Sequence, residues 1–392
     1  MRNIPYARQL IDREDIRAVV RALKSDFLTQ GPEIEKFETE FSVFCGAKFA
    51  VACSSATAGL HMAAMALNLS PGDRWWTSPN TFCATADAAR RCGAEVDFID
   101  IEWGTYNMDL ELLEDRLKAA SRKNRLPQVV APVHFAGNPV DMNVLGRLKK
   151  KYGFKVVEDA AHATGASFQG EPVGSCRWSD MCVFSFHAVK IITTGEGGMV
   201  TTNKFHLNQR LRILRTHGIN RVPRLRPSSN QPPWYYEKTE LGNHYRMTDF
   251  QAALGRSQLK KIWKFRAARK KISEYYGKQL VEMPLDLPRE TPGAKSSWHL
   301  FPISLKKQNG RDNLMQSFRQ KGVLANLHYL AVPSLAYYRK KFFGKNHTCP
   351  NANRYTERAI SLPIHPSLKK QHLVKIVNIL RKEFRKAGEG KK

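Results

Sequence analysis

Three short clusters in the chain contain residue types that could perform chemistry. Ser54–Gly59 is a run of small residues between an apolar run and an Ala-rich segment, and the free N–H groups at the start of a helix bind anions. Asp159 ends a second apolar run, where a carboxylate needs a partner such as a protonated ring nitrogen. Lys190 precedes the glycine-rich turn Thr194–Gly198, and a desolvated lysine amine can form a Schiff base with a carbonyl group.

Each cluster taken alone also has a simpler structural explanation. Ser54–Gly59 could be an ordinary helix cap, Asp159 an acidic cap on the next helix, and Lys190 a solvated surface residue. Their order and spacing favour chemistry, because Asp159 precedes Lys190 by 31 residues with a strand-like segment between them. Ligands of parallel α/β sheets bind beyond the carboxyl ends of the strands, and all three clusters are expected at strand ends.

The elements that position these clusters alternate between strands and helices. The strand-like runs are Phe49–Ala52, Arg74–Thr77, Val96–Ile101, Val129–His134, Lys155–Val157 and Met181–Phe184. Between them lie helix-like segments at Ala58–Leu69, Thr81–Arg91, Leu110–Ala120 and Val140–Tyr152. This alternation predicts an α/β domain built on a largely parallel sheet.

The character of the chain changes after Thr248. A basic, helix-favouring stretch, Asp249–Met283, is followed by a Pro-rich segment, the strand-like run His299–Leu305 and a terminal helix at Lys369–Arg385. We expect a large domain over residues 1–255, including the N-terminal segment, and a smaller α+β domain over residues 256–392. The Pro-containing segment Arg221–Trp234 is predicted to be a long surface loop.

Composition narrows the class of protein. With 392 residues, 42% of them hydrophobic, the chain can bury a large core. It has no run of 18 apolar residues and no signal-peptide pattern at Met1–Leu10, so we expect a cytoplasmic protein without a membrane span. The seven cysteines include no C-x-x-C pair, which argues against a disulfide framework or a zinc site. No metal is therefore expected.

The charge of the chain is strongly positive. There are 63 basic and 35 acidic residues, a formal net charge of +28, and such an excess attracts anionic partners. The sequence contains no zinc-finger or RNP signature. We therefore expect a basic surface that steers anionic substrates, and no nucleic-acid binding.

Taken together, the clusters resemble the DegT/StrS family of pyridoxal-phosphate (PLP) sugar aminotransferases over nearly the whole chain. The resemblance implies PLP fold type I, with a mostly parallel seven-stranded sheet in the large domain. The matching runs are Leu28–Pro32, Ser55–Ala58, Pro132–Phe135, Glu158–His162, Ser185–Lys190, Thr194–Gly198, Tyr245–Met247, His328–Tyr329 and Ser361–Pro363.

The resemblance also implies roles for individual residues. Lys190 would hold PLP through an imine and, once free, move a proton, while Asp159 would pair with the pyridinium nitrogen. The remaining cofactor contacts would be His162 to the ring hydroxyl, Phe82 against the ring face, and Ala56, Thr57 and Ser185 to the phosphate. A plain core position is an alternative for Phe82.

One departure from the family pattern concerns a contact from a second subunit. The family reads G-x-N-Y-R-M where this chain has His244 in the Asn position and Asn243 one residue earlier; either could reach the phosphate across a homodimer interface. His187, His328 and Tyr329 are candidates for substrate contacts, and a structural role is equally open for His187. Glu196 is interpreted first as a turn residue.

Two branches of the family are candidates for the substrate. Trp76–Phe82 and Tyr106–Met108 resemble the pseudaminic-acid branch, which forms UDP-4-amino-4,6-dideoxy-N-acetyl-β-L-altrosamine. Ser55–Gly59 and Glu158–Gly165 also resemble the branch that forms UDP-4-amino-4-deoxy-L-arabinose. Both act on a UDP-linked 4-keto sugar, with glutamate as the usual amino donor.

Other classes of protein are less compatible with the residues present. In a dehydratase branch of the same fold a histidine replaces the Schiff-base lysine, and Lys190 disfavours that interpretation. A PLP-binding regulator without catalysis stays an alternative, against which the presence of both Lys190 and Asp159 argues.

Overall fold

The fold is described from a computed structural model, which describes residues 3–220, 232, 234–307, 310–342 and 349–389. Within these residues the strands are β1 (Ile4–Pro5), β2 (Phe49–Cys53), β3 (Arg74–Thr77), β4 (Glu95–Phe98), β5 (Val129–Ala131), β6 (Lys155–Asp159), β7 (Ser167–Phe168), β8 (Glu171–Pro172), β9 (Met181–Ser185), β10 (Gly198–Thr202), β11 (Ile219–Asn220), β12 (Glu237–Lys238), β13 (Leu285–Asp286), β14 (Ala294–Lys295), β15 (Phe301–Leu305), β16 (Val323–Leu324) and β17 (Ala359–Leu362).

The α-helices of the same residues are α1 (Arg13–Leu23), α2 (Pro32–Cys45), α3 (Ala56–Ala66), α4 (Ala84–Arg91), α5 (Leu110–Ser121), α6 (Met142–Tyr152), α7 (Phe205–Arg215), α8 (Asp249–Leu259), α9 (Ile262–Leu280), α10 (Arg311–Gln320), α11 (Ala336–Phe342), α12 (Pro350–Arg358) and α13 (Lys370–Glu389). Short 3-10 helices lie at Phe135–Gly137 and Val332–Ser334.

A seven-stranded sheet forms the centre of the large unit. Its strand order is β2-β10-β9-β6-β5-β3-β4, and its neighbouring strands are parallel except where β10 pairs with β2 and β9. The prediction of an α/β fold with a mostly parallel seven-stranded sheet is confirmed. Because only β10 runs the other way, the segments that follow β2, β3, β6 and β9 meet at one edge of the sheet.

Short polar signals in the sequence determine where several helices begin and end. Asp109 accepts hydrogen bonds from the first amides of α5, and Asp141 does the same for α6; such caps satisfy N–H groups that have no intrahelical acceptor. Gly153 ends α6 with a φ of 78°, a left-handed conformation that glycine adopts without steric cost. These boundaries are therefore local in origin.

The predicted helical stretch Asp249–Met283 forms two helices, α8 and α9. The residues between them include neither Gly nor Pro, so the sequence has no local break signal there. Lys261 lies in the break, and its amine pairs with Asp12 and Asp15 of the N-terminal region at 2.8 and 2.6 Å. Residue 255, the expected domain boundary, lies inside α8. Ile262 and Phe265, at the start of α9, belong to the same apolar cluster as Phe37 of α2, and the boundary near residue 255 stays a prediction.

The smaller unit contains an antiparallel sheet, β13-β15-β17, against which helices α9, α10 and α13 pack. Its core is an apolar cluster that includes Ile272, Tyr276, Ile303, Phe318 and Ile376. β1, at the N-terminus, pairs in parallel with β16. Ile4 and Pro5 therefore contact the C-terminal unit.

Asp100 joins the large unit to the smaller one. Its carboxylate accepts hydrogen bonds from the N–H groups of Asn351 and Ala352, at 2.8 and 3.0 Å, in the first turn of α12. From the same helix, the Tyr355 hydroxyl donates to the carbonyl oxygen of His328 at 2.7 Å. Asp100 and α12 thus connect the large unit to the segment that contains His328.

Three further expectations concern loops, membranes and cysteines. The predicted loop Arg221–Trp234 lies almost entirely outside the described residues. Within the described ranges, no helix has both the length and the apolar character needed to cross a bilayer. All seven cysteines are free thiols.

Candidate active site

A cavity of about 510 Å³ opens at the carboxyl edge of the central sheet. Both units contribute to its wall, and the N-terminal segment contributes Tyr6. The residues that line it are Tyr6, Ser55, Ala56, Thr57, Leu60, Thr81, Phe82, Ala84, Val133, Asp159, Ala161, His162, Ser185, His187, Val189, Lys190, Glu196, Asn326, Leu327, His328 and Tyr329. The three clusters identified in the sequence therefore meet at one place.

The first wall of the cavity is the N-terminus of α3. Ser55 caps this helix by accepting a hydrogen bond from the Ala58 amide at 3.1 Å, and Ala56 and Thr57, the first helical residues, line the cavity. Ser185 also lines the cavity. Because the first amides of a helix have no intrahelical acceptor and lie at its positive end, this wall can bind an anion.

The approach of β10 to this helix start requires glycine at position 198. A Cβ atom there would lie 2.5 Å from the carbonyl carbon of Ser55 and 2.7 Å from the Ala56 nitrogen. Gly198 also pairs with Ser185 across the β9–β10 ladder. The glycine thus allows the start of α3 and Ser185 to lie side by side.

Asp159 lies at the end of β6 and is 5% exposed. Its Oδ2 accepts a hydrogen bond from the Thr85 hydroxyl at 2.5 Å, and its Oδ1 accepts one from the Ala161 amide at 3.0 Å. Thr85 in turn lies 2.8 Å from the Thr81 hydroxyl. Two donors on different elements therefore hold this carboxylate in one orientation.

Lys190 follows β9 on a tight turn, in which its amide donates to the His187 carbonyl oxygen at 2.9 Å. Burial lowers the pKa of the Lys190 amine from 10.5 to about 8, and the Asp159 carboxylate acts in the opposite direction. Desolvation dominates because it disfavours the charged ammonium form. About a tenth of this amine is therefore neutral at pH 7 and about half at pH 8, and the neutral form is the one that acts as a nucleophile or a base.

The remaining walls are formed by aromatic and imidazole side chains. The Nε2 atom of His162 lies 3.0 Å from the Tyr329 hydroxyl, and Phe82, 59% exposed, lies with its ring 6.1 Å from that of Tyr329. His328 is hydrogen-bonded through Nδ1 to Ser361 at 2.9 Å. An exposed phenyl ring in a cavity is available to cover a planar ligand.

Both imidazoles of this wall are neutral near neutral pH. Burial, more than the nearby Lys190 charge, lowers the pKa of His162 well below its usual range. Burial likewise lowers the pKa of His328 to about 3, with a smaller contribution from Lys190. Each ring can therefore both donate and accept a hydrogen bond.

His187 and Glu196 face each other at the cavity wall, with 3.9 Å between Nε2 and Oε1. Their side chains are 47% and 64% exposed, and the backbones of His187 and Gly195 form an isolated bridge. This placement is compatible with both of the roles considered for His187, a substrate contact and a turn position.

Asn243 and His244 are not among the residues that line the cavity of their own chain. The Asn243 amide nitrogen lies 4.0 Å from the Met65 sulfur, and the His244 ring packs 5.5 Å from the ring of His217. Their proposed contact with a phosphate in a second subunit stays a prediction.

Two residues near the site could not be found from sequence. Thr85 bonds to Asp159 from 74 positions away, and Tyr6 places its ring 4.9 Å from that of His328. Neither belongs to a recognisable local pattern, since a threonine in a helix and a tyrosine near the N-terminus are common. The β1–β16 pairing brings Tyr6 to the cavity wall, and the packing of α4 brings Thr85 to Asp159.

Comparisons with known proteins cover both units of the chain. The profile of the DegT/DnrJ/EryC1/StrS aminotransferase family matches residues 9–381. The spore coat polysaccharide biosynthesis protein SpsC of Bacillus subtilis is 35% identical over 383 residues, covering 96% of each chain.

Two solved structures of aminotransferases are similar to this chain over nearly its whole length. Helicobacter pylori PseC, an aminotransferase involved in the biosynthesis of pseudoaminic acid, is 29% identical with a TM-score of 0.88, over 98% of this chain and 100% of the other. The PLP form of Spr1654 from Streptococcus pneumoniae, a putative sugar aminotransferase, is 27% identical with a TM-score of 0.87, over 98% and 99%.

Proposed function

The chain belongs to the DegT/DnrJ/EryC1/StrS aminotransferase family, and on that premise we propose that it transfers an amino group from glutamate to C4 of a UDP-linked 4-keto-6-deoxy sugar. It is a PLP-dependent sugar aminotransferase. The observation on which the residue assignments depend is that the Lys190 amine and the Asp159 carboxylate line one cavity beside the N-terminus of α3.

The residues of the cavity fit PLP chemically. An amine, a carboxylate, an exposed phenyl ring and a helix start match the aldehyde, ring nitrogen, ring face and phosphate of the cofactor. In addition, the Nδ1 atom of His162 is buried and has no hydrogen-bond partner among the described residues, and a buried polar atom of this kind requires one. The ring hydroxyl of PLP is proposed as that partner.

The residues divide the work of transamination among them. When bound, PLP supplies an electron sink for the carbon next to the transferred amine. The Asp159 carboxylate, oriented by Thr85 and Ala161, would pair with the ring nitrogen and so keep a proton on it. Lys190 holds the cofactor and, as an amine with a pKa of about 8, accepts and returns the proton at the reacting carbon.

The choice of a UDP-4-keto sugar has three supports. Trp76–Phe82 and Tyr106–Met108 resemble the pseudaminic-acid branch, and PseC, whose fold this chain shares, takes part in pseudoaminic acid biosynthesis. The net charge of +28 suits a substrate that bears a diphosphate. On this basis the proposed product is UDP-4-amino-4,6-dideoxy-N-acetyl-β-L-altrosamine.

We also propose that the active enzyme is a homodimer in which each chain completes the site of the other. The position of Asn243 and His244 outside their own cavity supports this arrangement. Mixing Lys190→Ala chains with Asn243→Ala/His244→Ala chains tests it, because a mixed dimer would contain one unaltered site. Recovery of activity on mixing is expected; two inactive preparations that stay inactive after verified subunit exchange would contradict it.

The substrate proposal is tested with a panel of nucleotide-linked keto sugars and glutamate, read out by product mass. The expected result is an aminated UDP-sugar and 2-oxoglutarate in equal amounts, with no product from Lys190→Ala. Borohydride reduction of the native enzyme should place a pyridoxyl group on the Lys190 peptide. Amination of only non-UDP sugars would overturn the nucleotide assignment, and an adduct on another lysine would overturn the role of Lys190.

A further inference from the structure

Glu158 and His134 form a buried pair directly behind Asp159. Glu158 precedes Asp159 in β6, and successive side chains of a strand point to opposite faces, so Glu158 points away from the cavity. It is 4% exposed, and His134 is 0% exposed. The Nε2 atom of His134 lies 2.7 Å from Oε2 of Glu158.

We propose that Glu158 and His134 are a positioning pair that fixes the direction of the Asp159 carboxylate, an inference that rests on the cofactor-binding role proposed for Asp159. Neither side chain is among those that line the cavity. The pair therefore acts through Asp159 and does not touch cofactor or substrate.

The tautomer of His134 follows from its second contact. The Val140 amide donates a hydrogen bond to Nδ1 at 3.1 Å, so Nδ1 has a free electron pair and the proton of the neutral ring is on Nε2. Nε2–H then donates to Glu158, whose other oxygen accepts from the Ser179 hydroxyl. Glu158 is thus an acceptor held by two donors that belong to different segments.

The backbones of the same residues are also joined. The His134 amide donates to the Asp159 carbonyl oxygen at 3.0 Å, and the Asp159 amide donates to the Pro132 carbonyl oxygen at 2.9 Å. These bonds extend the β5–β6 pairing beyond Ala131, where β5 ends. With backbone and side chain both held, Asp159 has little freedom to turn its carboxylate away from the cavity.

A stability role alone does not account for a buried carboxylate here. Replacing a buried polar pair by well-packed apolar side chains is often neutral or stabilising, because the desolvation of the charged group is avoided. The apolar surroundings of Glu158 include Cys45, Cys176 and Cys182, whose thiol pKa values it helps to raise after the larger effect of burial. An apolar pair would fill the same space, but it would not fix the end of β6 by directional bonds.

The test compares three variants in the full chain. His134→Phe/Glu158→Leu removes the pair with apolar side chains. Glu158→Gln is the conservative variant, since its amide oxygen can accept from His134 while its NH₂ donates to Ser179. Thr202→Val is the matched control, because it removes a buried bond to the Asp180 carbonyl oxygen (2.7 Å) at the other end of the sheet.

Three readouts separate positioning from stability, and none of them needs the sugar. They are hydrogen exchange of peptides covering 132–140 and 155–162 in cofactor-free protein, the Kd for PLP, and the pH at which the visible absorbance of the bound cofactor changes. The double variant should exchange faster, bind PLP roughly tenfold or more weakly, and change the absorbance midpoint. Glu158→Gln should stay within about threefold of the native Kd, and Thr202→Val should lose only stability.

The proposal is overturned if a folded double variant binds PLP with the native Kd and the native absorbance midpoint. It is also overturned if Thr202→Val changes both to the same extent. Should the double variant not fold, Glu158→Leu alone is measured against the same criteria. Because the sugar reaction is not used, failure of the proposed substrate leaves these outcomes unaffected.

Discussion

Lys190 is expected to become reactive at a pH far below that of an exposed lysine. Its pKa is lowered by burial from 10.5 to about 8. At pH values well below both pKa values, that difference corresponds to a roughly 300-fold larger neutral fraction. About half of the Lys190 amine should be neutral at pH 8, where an unperturbed lysine has roughly 0.3%.

A short pulse of an amine-acylating reagent on cofactor-free protein between pH 6 and 10, followed by peptide mass analysis, measures this directly. Lys118 is the internal control, because its hydrogen bond to Asp115 raises its pKa and its labelling should rise only at the top of the range. Labelling of Lys190 should reach its midpoint near pH 8.

The Asp159→Asn variant gives the sign of the electrostatic contribution. The Asp159 carboxylate raises the pKa of Lys190, so its neutral replacement should move the labelling midpoint to lower pH. A midpoint that rises in Asp159→Asn would contradict the sign of the Asp159 contribution. A native midpoint above pH 10 would show that desolvation does not control this amine. That result would also remove the reason for assigning Lys190 as the proton carrier.

Three further predictions concern the surroundings of the site. Thr85→Val removes the 2.5 Å hydrogen bond to Asp159 and should weaken PLP binding roughly tenfold or more, whereas Thr85→Ser should keep it; equal Kd values in a titration would contradict this. Because burial lowers the pKa of His328 to about 3, the unfolded chain binds a proton near pH 6.5 that the folded chain does not. The contribution of this histidine to the free energy of unfolding is complete above pH 6.5 and is lost as the pH falls towards 3, by about 1.4 kcal/mol per pH unit. Urea unfolding in which the free energy of unfolding does not decrease between pH 7 and 5 would contradict this prediction. Asp100→Ala removes the cap of α12 and should lower the free energy of unfolding by about 1–2 kcal/mol, while Glu102→Ala, at an exposed neighbouring position, should change it by less than ~0.5 kcal/mol.

Much of the fold could be predicted because its signals are local. Apolar runs such as Val129–Ala131 and Met181–Ser185 form fully buried strands, and the helices between them begin at polar caps. Alternation of this kind leaves few arrangements other than a parallel sheet. By contrast, the break between α8 and α9 has no local signal in the sequence. It coincides with ion pairs from Lys261 to Asp12 and Asp15, which are distant in the sequence.

The same distinction applies to the candidate site. Ser54–Gly59 and Lys190 follow strands and Asp159 ends one, so their convergence at one sheet edge follows from the topology. The topology does not predict which hydroxyl holds the Asp159 carboxylate. Thr85, which provides it, lies on a helix whose rotation about its axis depends on packing. The role proposed for Asn243 and His244 requires a second subunit, which the sequence of one chain does not describe.

The order of residue types along this chain, by itself, determined the architecture and the identity of the groups that can react. Tertiary structure alone decided the protonation state of these groups and the direction in which their side chains point. Lys190 has a lowered pKa because folding removes water from around it, and Asp159 faces the cavity because bonds from Thr85, Ala161 and His134 meet at the end of β6. Desolvation and the angle of a hydrogen bond depend on atoms that are far apart in sequence, so no local pattern contains them.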